Sequence, residues 1–192
     1  MPTGALDRFV HDLQTCWTET AGAEAVLLPR VEALMRTLVA HDDWLDPAMA
    51  QPHPQYYQQY LLHADPQDRY SVVSFVWGPG QATPIHDHGV WGAVGVLRGA
   101  EYSQAYTADG ATPPRSIGDR HMLLPGMVER VGPELGDIHK VSNAVADAVS
   151  VSIHVYGTDI GHHPRHVYPA EGGIKPFISG YANGSDTPVF AG

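Results

Sequence analysis

The stretch Gly80–Gly99, GQATPIHDHGVWGAVGVLRG, decides the fold and carries the most informative pair of side chains in the chain. His86 and His88 stand two residues apart in a segment that glycine and proline punctuate. Because side chains alternate between the two faces of a β-strand, both histidines point the same way and could hold one metal ion, while Asp87 faces the other side. The apolar, β-branched run that ends at Gly99 is typical of a buried strand. We therefore expect the histidine pair at the rim of a sheet that continues into a core.

Composition favours one globular domain that acts on a small molecule. The chain has 192 residues, of which 43% are apolar and 17% charged, so it can bury a core. A formal charge of −10 argues against nucleic acid and against an anionic membrane as the main partner. We see no apolar run of the about 18 residues that a transmembrane helix needs, and no secretory leader pattern. The single Cys16 cannot form an internal disulfide, which fits a cytoplasmic protein. The sequence leaves the oligomeric state open.

The periodicity divides a single domain, residues 1–192, into three parts. Apolar residues at three- and four-residue spacing in residues 1–50 predict amphipathic helices that pack on the outside of a sheet. Residues 51–156 carry about seven short strand-like runs, which predict the antiparallel core of a sandwich or barrel. Within them, residues 108–119 are expected to form a surface loop. Residues 157–192 are rich in glycine, proline and histidine, and we expect a long coil that wraps the core.

A third histidine, His139, lies in a strand-like run further along the chain, and the two histidine stretches together resemble the two cupin motifs. The first motif is matched by Gly80, His86, His88 and Gly99, and the second by Gly126, Pro133, Gly136, His139 and Asn143. The glutamate ligand that usually follows the second histidine is missing, since Gly92 and Ala93 stand in its place. The resemblance implies a mainly β, cupin-type antiparallel sandwich or barrel and a metal held by three neutral imidazoles.

The run AVSVSIHVYG supplies a second group of polar side chains. Ser152, His154 and Tyr156 share one face of this strand, and branched apolar residues occupy the other. Such a polar face is either an edge that faces water or the wall of a polar cavity. A His–Tyr pair beside a metal can transfer protons or hydrogen-bond to a bound ligand, which favours the cavity wall.

The combined pattern resembles the thiol dioxygenases, the cysteine dioxygenase family, over about residues 57–156. The resemblance implies a mononuclear Fe(II) ion bound by His86, His88 and His139. It also implies an outer-sphere catalytic relay of Ser152, His154 and Tyr156. In that family both atoms of O₂ are added to the sulfur of a small carboxylated thiol, which gives a sulfinate.

The resemblance also bears on the identity of the thiol. In animal-type enzymes an arginine just before the sheet binds the substrate carboxylate, and the matching position here is Gln59. This glutamine resembles the bacterial enzymes that act on 3-mercaptopropionate, and Arg165 resembles the arginine of that bacterial group. The alternative is that Arg165 is a surface residue of the tail. The cysteine that cross-links to the catalytic tyrosine in animal enzymes is missing, with Ala93 in the corresponding region.

Several functions stay open beside 3-mercaptopropionate dioxygenation. The thiol could instead be cysteine or mercaptosuccinate. A different three-histidine cupin reaction is an alternative, such as oxidative cleavage of a diketone or a zinc- or manganese-dependent isomerisation. Finally, the chain could be a metal-binding or ligand-sensing cupin without turnover.

Overall fold

The computed structural model describes residues 4–184 and contains two N-terminal helices followed by antiparallel strands. Helix α1 spans Ala5–Thr20, helix α2 spans Glu24–Leu38, and a 3₁₀ turn spans Pro47–Ala50. The strands are β1 Gln58–Ala64, β2 Ser71–Trp77, β3 Gly92–Arg98, β4 Glu101–Thr107, β5 Arg115–Leu123, β6 Val128–Val131, β7 His139–Asn143, β8 Ser150–Tyr156, β9 Arg165–Val167 and β10 Lys175–Phe177. No helix within residues 4–184 combines the length and the apolar composition needed to cross a membrane.

Two antiparallel sheets build the β core. One has five strands in the order β1-β2-β8-β3-β6, and the other has three in the order β5-β4-β7. An apolar cluster with residues from both sheets, among them Phe75 of β2 and Val141 of β7, fills the interior between them. The expected mainly β, cupin-type sandwich is therefore confirmed.

The helices pack on the outside of the five-stranded sheet. Leu27 and Val31 of α2 share an apolar cluster with Val72 of β2 and Ile153 of β8. Because side chains alternate along β2, Val72 faces the helices while Val73 faces the interior of the sandwich. The predicted position of the N-terminal helices is thus confirmed, and it explains why β2 and β8 are buried on both faces.

Two predictions about irregular segments are wrong in part. Residues 115–119, assigned to a loop, begin strand β5, which pairs with β4 at an edge of the small sheet and is exposed over its first eight residues. With neither face buried, this strand lacks the alternation that reveals strands in a sequence. In the tail, β9 and β10 form an antiparallel pair instead of coil. Val167 of β9 also bridges to His86, which brings the tail to the histidine pair.

Candidate active site

Three histidines from two separate stretches meet inside the sandwich. His86 and His88 lie in the loop between β2 and β3 rather than within a strand, and His139 begins β7. An isolated antiparallel bridge joins His86 to His139, and each backbone N–H donates to the other residue's carbonyl oxygen at 3.0 Å. All three side chains are buried, and one potential ligand atom from each lies within 4.8 Å of the other two.

Hydrogen bonds orient two of these imidazole rings. His86 Nδ1 lies 3.1 Å from the carbonyl oxygen of Pro84, and His88 Nδ1 lies 3.1 Å from Asp137 Oδ1. His88 Nε2 is buried without a hydrogen-bond partner among the described residues. A buried nitrogen of this kind costs free energy unless something binds it, so it marks a place for a ligand or metal.

Asp137 was missed by the sequence analysis. Besides the ring of His88, its carboxylate accepts the backbone N–H groups of His88 at 3.1 Å and of Gly89 at 2.9 Å. Burial alone would raise the pKa of Asp137, but the hydrogen bonds it accepts and its electrostatic interaction with the His88 side chain outweigh burial and lower that pKa. A carboxylate behind a histidine fixes the ring and increases its basicity as a metal ligand. The one signal in the sequence is that Asp137 stands two residues before His139.

The donor set fits a transition-metal ion. Burial, and then the neighbouring imidazoles, lower the pKa of His86 and of His139 well below the usual value, so these side chains are neutral at physiological pH. A neutral imidazole keeps the lone pair that a metal requires. Imidazole ligands suit iron, zinc, copper and nickel.

Tyr156 occupies the space that a side chain at position 92 would need. A Cβ atom at Gly92 would lie 2.8 Å from Tyr156 Cδ1 and 3.0 Å from Val131 Cγ2. This contact lies in the region around Ala93 that corresponds to the missing cross-linking cysteine. Ala93 belongs to the apolar cluster under the helices, whereas Gly92 is the strand partner of Tyr156.

Strand β8 carries a hydrogen-bond chain that ends beside the three histidines. Ser152 Oγ lies 2.8 Å from His154 Nε2, and His154 Nδ1 lies 2.8 Å from the Tyr156 hydroxyl. Trp77 Nε1 donates to Ser152 Oγ at 3.2 Å. The Tyr156 ring stacks on that of His88, with ring centroids 5.4 Å apart.

This polar face is the wall of a cavity and not an edge that faces water. Strand β8 lies between β2 and β3 and is buried along its whole length. Burial lowers the pKa of His154 well below its usual value and raises the pKa of Tyr156, so both side chains are neutral at physiological pH.

Arg165, the first residue of β9, is buried and lines the same small cavity as the histidines. Its side chain is only 3% exposed, which excludes the alternative of a surface arginine. The Nη2 atom donates to Ser179 Oγ at 2.6 Å, and the guanidinium carbon lies 4.6 Å from the ring centroid of Phe177. The Nε atom is buried and has no hydrogen-bond partner among the described residues. The guanidinium group therefore has a free donor next to the cavity.

Gln59 also lines this cavity, but its amide nitrogen is engaged elsewhere. Gln59 Nε2 donates to Ser179 Oγ and to the carbonyl oxygen of Gly180, both at 3.1 Å. Gln59 and Arg165 thus meet on the same serine hydroxyl. The lining comprises Tyr57, Gln59, Phe75, Trp77, Thr83, Pro84, His86, His139, Val141, His154, Tyr156, Arg165 and Phe177.

Asp87 ties the histidine loop to β9. Its carboxylate accepts the backbone N–H of His166 at 2.7 Å and the hydroxyl of Tyr168 at 2.8 Å. It also lies 3.0 Å from His166 Nδ1. Hydrogen bonds to Asp87 thus hold His166, the neighbour of Arg165, beside the loop that carries His86 and His88.

The comparison with protein families agrees with the motif pattern. A family model described as cysteine dioxygenase type I matches residues 8–162, which is well over half of the chain. The chain belongs to the cysteine dioxygenase type I family. Membership in the cysteine dioxygenase type I family supports a thiol dioxygenase in the cupin fold that acts on a small molecule and O₂.

Solved structures similar to this cysteine dioxygenase type I family member share little sequence with it. The protein TT1209 from Thermus thermophilus is 19% identical, with 58% of this chain and 92% of that chain covered and a TM-score of 0.45. A cupin superfamily protein from Desulfitobacterium hafniense is 14% identical, with coverages of 58% and 86% and a TM-score of 0.44. A cupin 2 conserved barrel domain protein from Salinispora arenicola is 18% identical, with coverages of 60% and 86% and a TM-score of 0.43.

Proposed function

We propose that the protein is a non-haem Fe(II) dioxygenase that converts 3-mercaptopropionate to its sulfinate. One observation carries the proposal: a single buried cavity is lined by neutral imidazoles, a tyrosine at the end of a hydrogen-bond chain, and an arginine with a free N–H. The reaction is R–SH + O₂ → R–SO₂H. Both oxygen atoms end on sulfur, which loses four electrons while O₂ gains four. The reaction therefore requires no separate reductant.

His86, His88 and His139 would hold the ion through one ring nitrogen each. Three neutral imidazoles would leave the charge of a bound Fe(II) ion uncompensated. That charge would supply Lewis-acid chemistry that favours the thiolate form of a thiol, whose free pKa is about 8.5. Asp137 would keep the ring of His88 in the tautomer that presents Nε2.

Tyr156 and His154 would control a proton beside the substrate. Burial raises the pKa of Tyr156, so the phenol keeps its proton at neutral pH. The hydroxyl is fixed by His154, which is fixed in turn by Ser152. A hydroxyl held in this way can orient a bound substrate and exchange a proton with it.

Arg165 would bind the substrate carboxylate. A buried guanidinium with a free Nε–H suits one carboxylate, because charge-assisted hydrogen bonds are strong where water is excluded. Gln59 would contribute to substrate binding by holding Ser179, the hydrogen-bond partner of Arg165.

The charges that line the cavity favour 3-mercaptopropionate over the other two thiols. Among the described residues of the lining none is acidic, so the ammonium group of cysteine would be buried without a counter-charge. Arg165 is the one Lys or Arg side chain among those same lining residues, so the second carboxylate of mercaptosuccinate would lack a cation.

An oxygen-electrode assay on iron-reconstituted protein tests the proposal. We expect one O₂ consumed per sulfinate formed, with the highest kcat/KM for 3-mercaptopropionate among the three thiols. Protein loaded with zinc should be inactive and serves as the matched control. Iron-loaded protein that binds thiols without O₂ uptake would contradict the proposal and favour a ligand-sensing role.

A further inference from the structure

Glu101 is a fully buried carboxyl group to which the proposed reaction gives no role. It begins β4, and its side chain has no exposed surface. Ser150 Oγ lies 3.0 Å from Oε1 and also 3.0 Å from the carbonyl oxygen of Arg98. The second oxygen, Oε2, is buried without a hydrogen-bond partner among the described residues. A buried carboxylate oxygen without a hydrogen bond costs free energy of folding, which suggests that Glu101 is retained for a function.

The Glu101 carboxyl group lies at the outer end of the hydrogen-bond chain of β8. Burial raises its pKa to about 7, against the opposing effects of the neighbouring polar side chains of Ser152, Ser150 and Trp77. Glu101 can therefore gain or lose a proton near neutral pH while it is next to Ser152, the first residue of that chain.

The groups that face Glu101 are neutral. They are Ser150 and Ser152 from β8 and Trp77 from β2. Its strand partners are Leu123 of β5 and Asn143 of β7, neither of which titrates. The titratable groups beyond Ser152 are His154 and Tyr156, which continue the chain.

We propose that Glu101 is the terminal member of the Ser152–His154–Tyr156 chain and sets the direction in which the chain donates at Tyr156. The Ser152 hydroxyl has a single proton to donate. Ser152 Oγ already accepts the indole N–H of Trp77. It can accept one more hydrogen bond and donate one, and its remaining neighbours are Glu101 and His154.

Ionised Glu101 orients the chain toward itself. Ser152 then donates to the carboxylate and accepts from His154 Nε2–H. With the proton on Nε2, His154 Nδ1 offers a lone pair, and the Tyr156 hydroxyl donates to it. The phenol oxygen consequently presents lone pairs, and no proton, to the cavity.

Protonated Glu101 reverses every bond in the chain. The carboxyl group donates to Ser152, Ser152 donates to His154 Nε2, and His154 Nδ1–H donates to Tyr156. The Tyr156 hydroxyl is then free to donate to a bound ligand. Glu101 is a positioning residue, because it acts only through Ser152 and His154. The effect on turnover rests on the proposed function, whereas the tautomer change does not.

Nitrogen-15 NMR of histidine-labelled, zinc-loaded protein tests this directly, because the shifts of Nδ1 and Nε2 report which atom carries the proton. The His154 signals are assigned by their loss in His154→Gln. As the pH rises through about 7, we expect the His154 proton to move from Nδ1 to Nε2 in the wild-type protein. The movement should be absent in Glu101→Gln and retained in the control Glu129→Gln, a part-buried carboxyl group of β6 outside the chain.

Two results would overturn the proposal: a single His154 tautomer from pH 5.5 to 8.5 in the wild type, or a change that persists in Glu101→Gln. Should Glu101→Gln fail to fold, infrared difference spectroscopy of the wild type shows whether a buried carboxylic acid titrates near neutral pH. A spectrum without such a titration would also overturn the proposal. In iron-loaded protein, Glu101→Gln should flatten the dependence of kcat on pH between 6 and 8. Loss of all O₂ uptake in the wild type would refute the dioxygenase alone and leave the NMR result unaffected.

Discussion

Replacement of Glu101 by glutamine should stabilise the protein in alkaline solution relative to acidic solution. The pKa of Glu101 rises from its ordinary value of 4.5 to about 7 on burial. The folded state therefore binds this proton more tightly than the unfolded state does. The wild-type protein has its full stability from this group below pH 4.5 and loses it as the pH rises through about 7. At 1.36 kcal/mol per pKa unit, the loss amounts to about 3 kcal/mol.

The measurement is the free energy of unfolding in urea at pH 4.5, 6 and 8. Glutamine has nearly the same shape as glutamate and no charge, so the advantage of Glu101→Gln over the wild type should grow by about 3 kcal/mol across this range. Glu134→Gln, which removes an exposed carboxylate, should show no such growth. All other titratable groups are common to the wild type and Glu101→Gln, so their effects cancel in the comparison. A difference between Glu101→Gln and wild type that does not vary with pH would refute both the raised pKa and the proton count at Ser152.

Three further substitutions test contacts in and beside the cavity. Gly92→Ala should destabilise the fold by about 1–3 kcal/mol, because the new methyl group would meet the Tyr156 ring. Thermal unfolding measures this loss of stability. The control Ala93→Gly, on the opposite face of the strand, should leave the tyrosine ring in place. Asp137→Asn should weaken metal affinity by about 10- to 100-fold, because it disturbs the hydrogen bond to His88 Nδ1. Competition with a chelator measures the affinity. Unchanged affinity would show that this hydrogen bond does not support metal binding by His88. Arg165→Gln should lower kcat/KM for 3-mercaptopropionate, which corresponds to a loss of about 2–4 kcal/mol of transition-state stabilisation. A thiol without a carboxylate, such as 2-mercaptoethanol, should be much less affected, and equal losses for both thiols would argue against a carboxylate contact.

The main features of the fold could be predicted because burial leaves a regular pattern in the sequence. Strand β8 alternates polar and apolar residues since one face lines the cavity and the other packs under the helices. Strand β5 left no such pattern, because both of its faces are exposed. Gly92 and Ala93 show how much depends on register, since a shift of one residue moves a side chain to the opposite face of a strand.

The supporting residues of the site could not be predicted, because tertiary contacts place them. Asp137 is recognisable only once the loop with His88 folds against it. Glu101 reads in the sequence as an ordinary polar residue of a strand, and its burial depends on Ser150 of a different sheet. Arg165 is a candidate only through the family resemblance, because its enclosure by Ser179 and Phe177 is a tertiary contact.

The link between Asp87 and β9 has a consequence for how selectivity could diverge. The histidine triad is complete by residue 139, whereas the arginine that would recognise the substrate arrives later, on a separate short segment fastened by Asp87. Under the proposed function, the metal ligands and the arginine that binds the carboxylate would therefore be carried by different segments of the chain. Residues 164–180 could be replaced by the corresponding segment of a relative with another thiol preference while Asp87 is retained. The replacement would change the residues proposed to bind the substrate carboxylate and leave the three histidines unchanged.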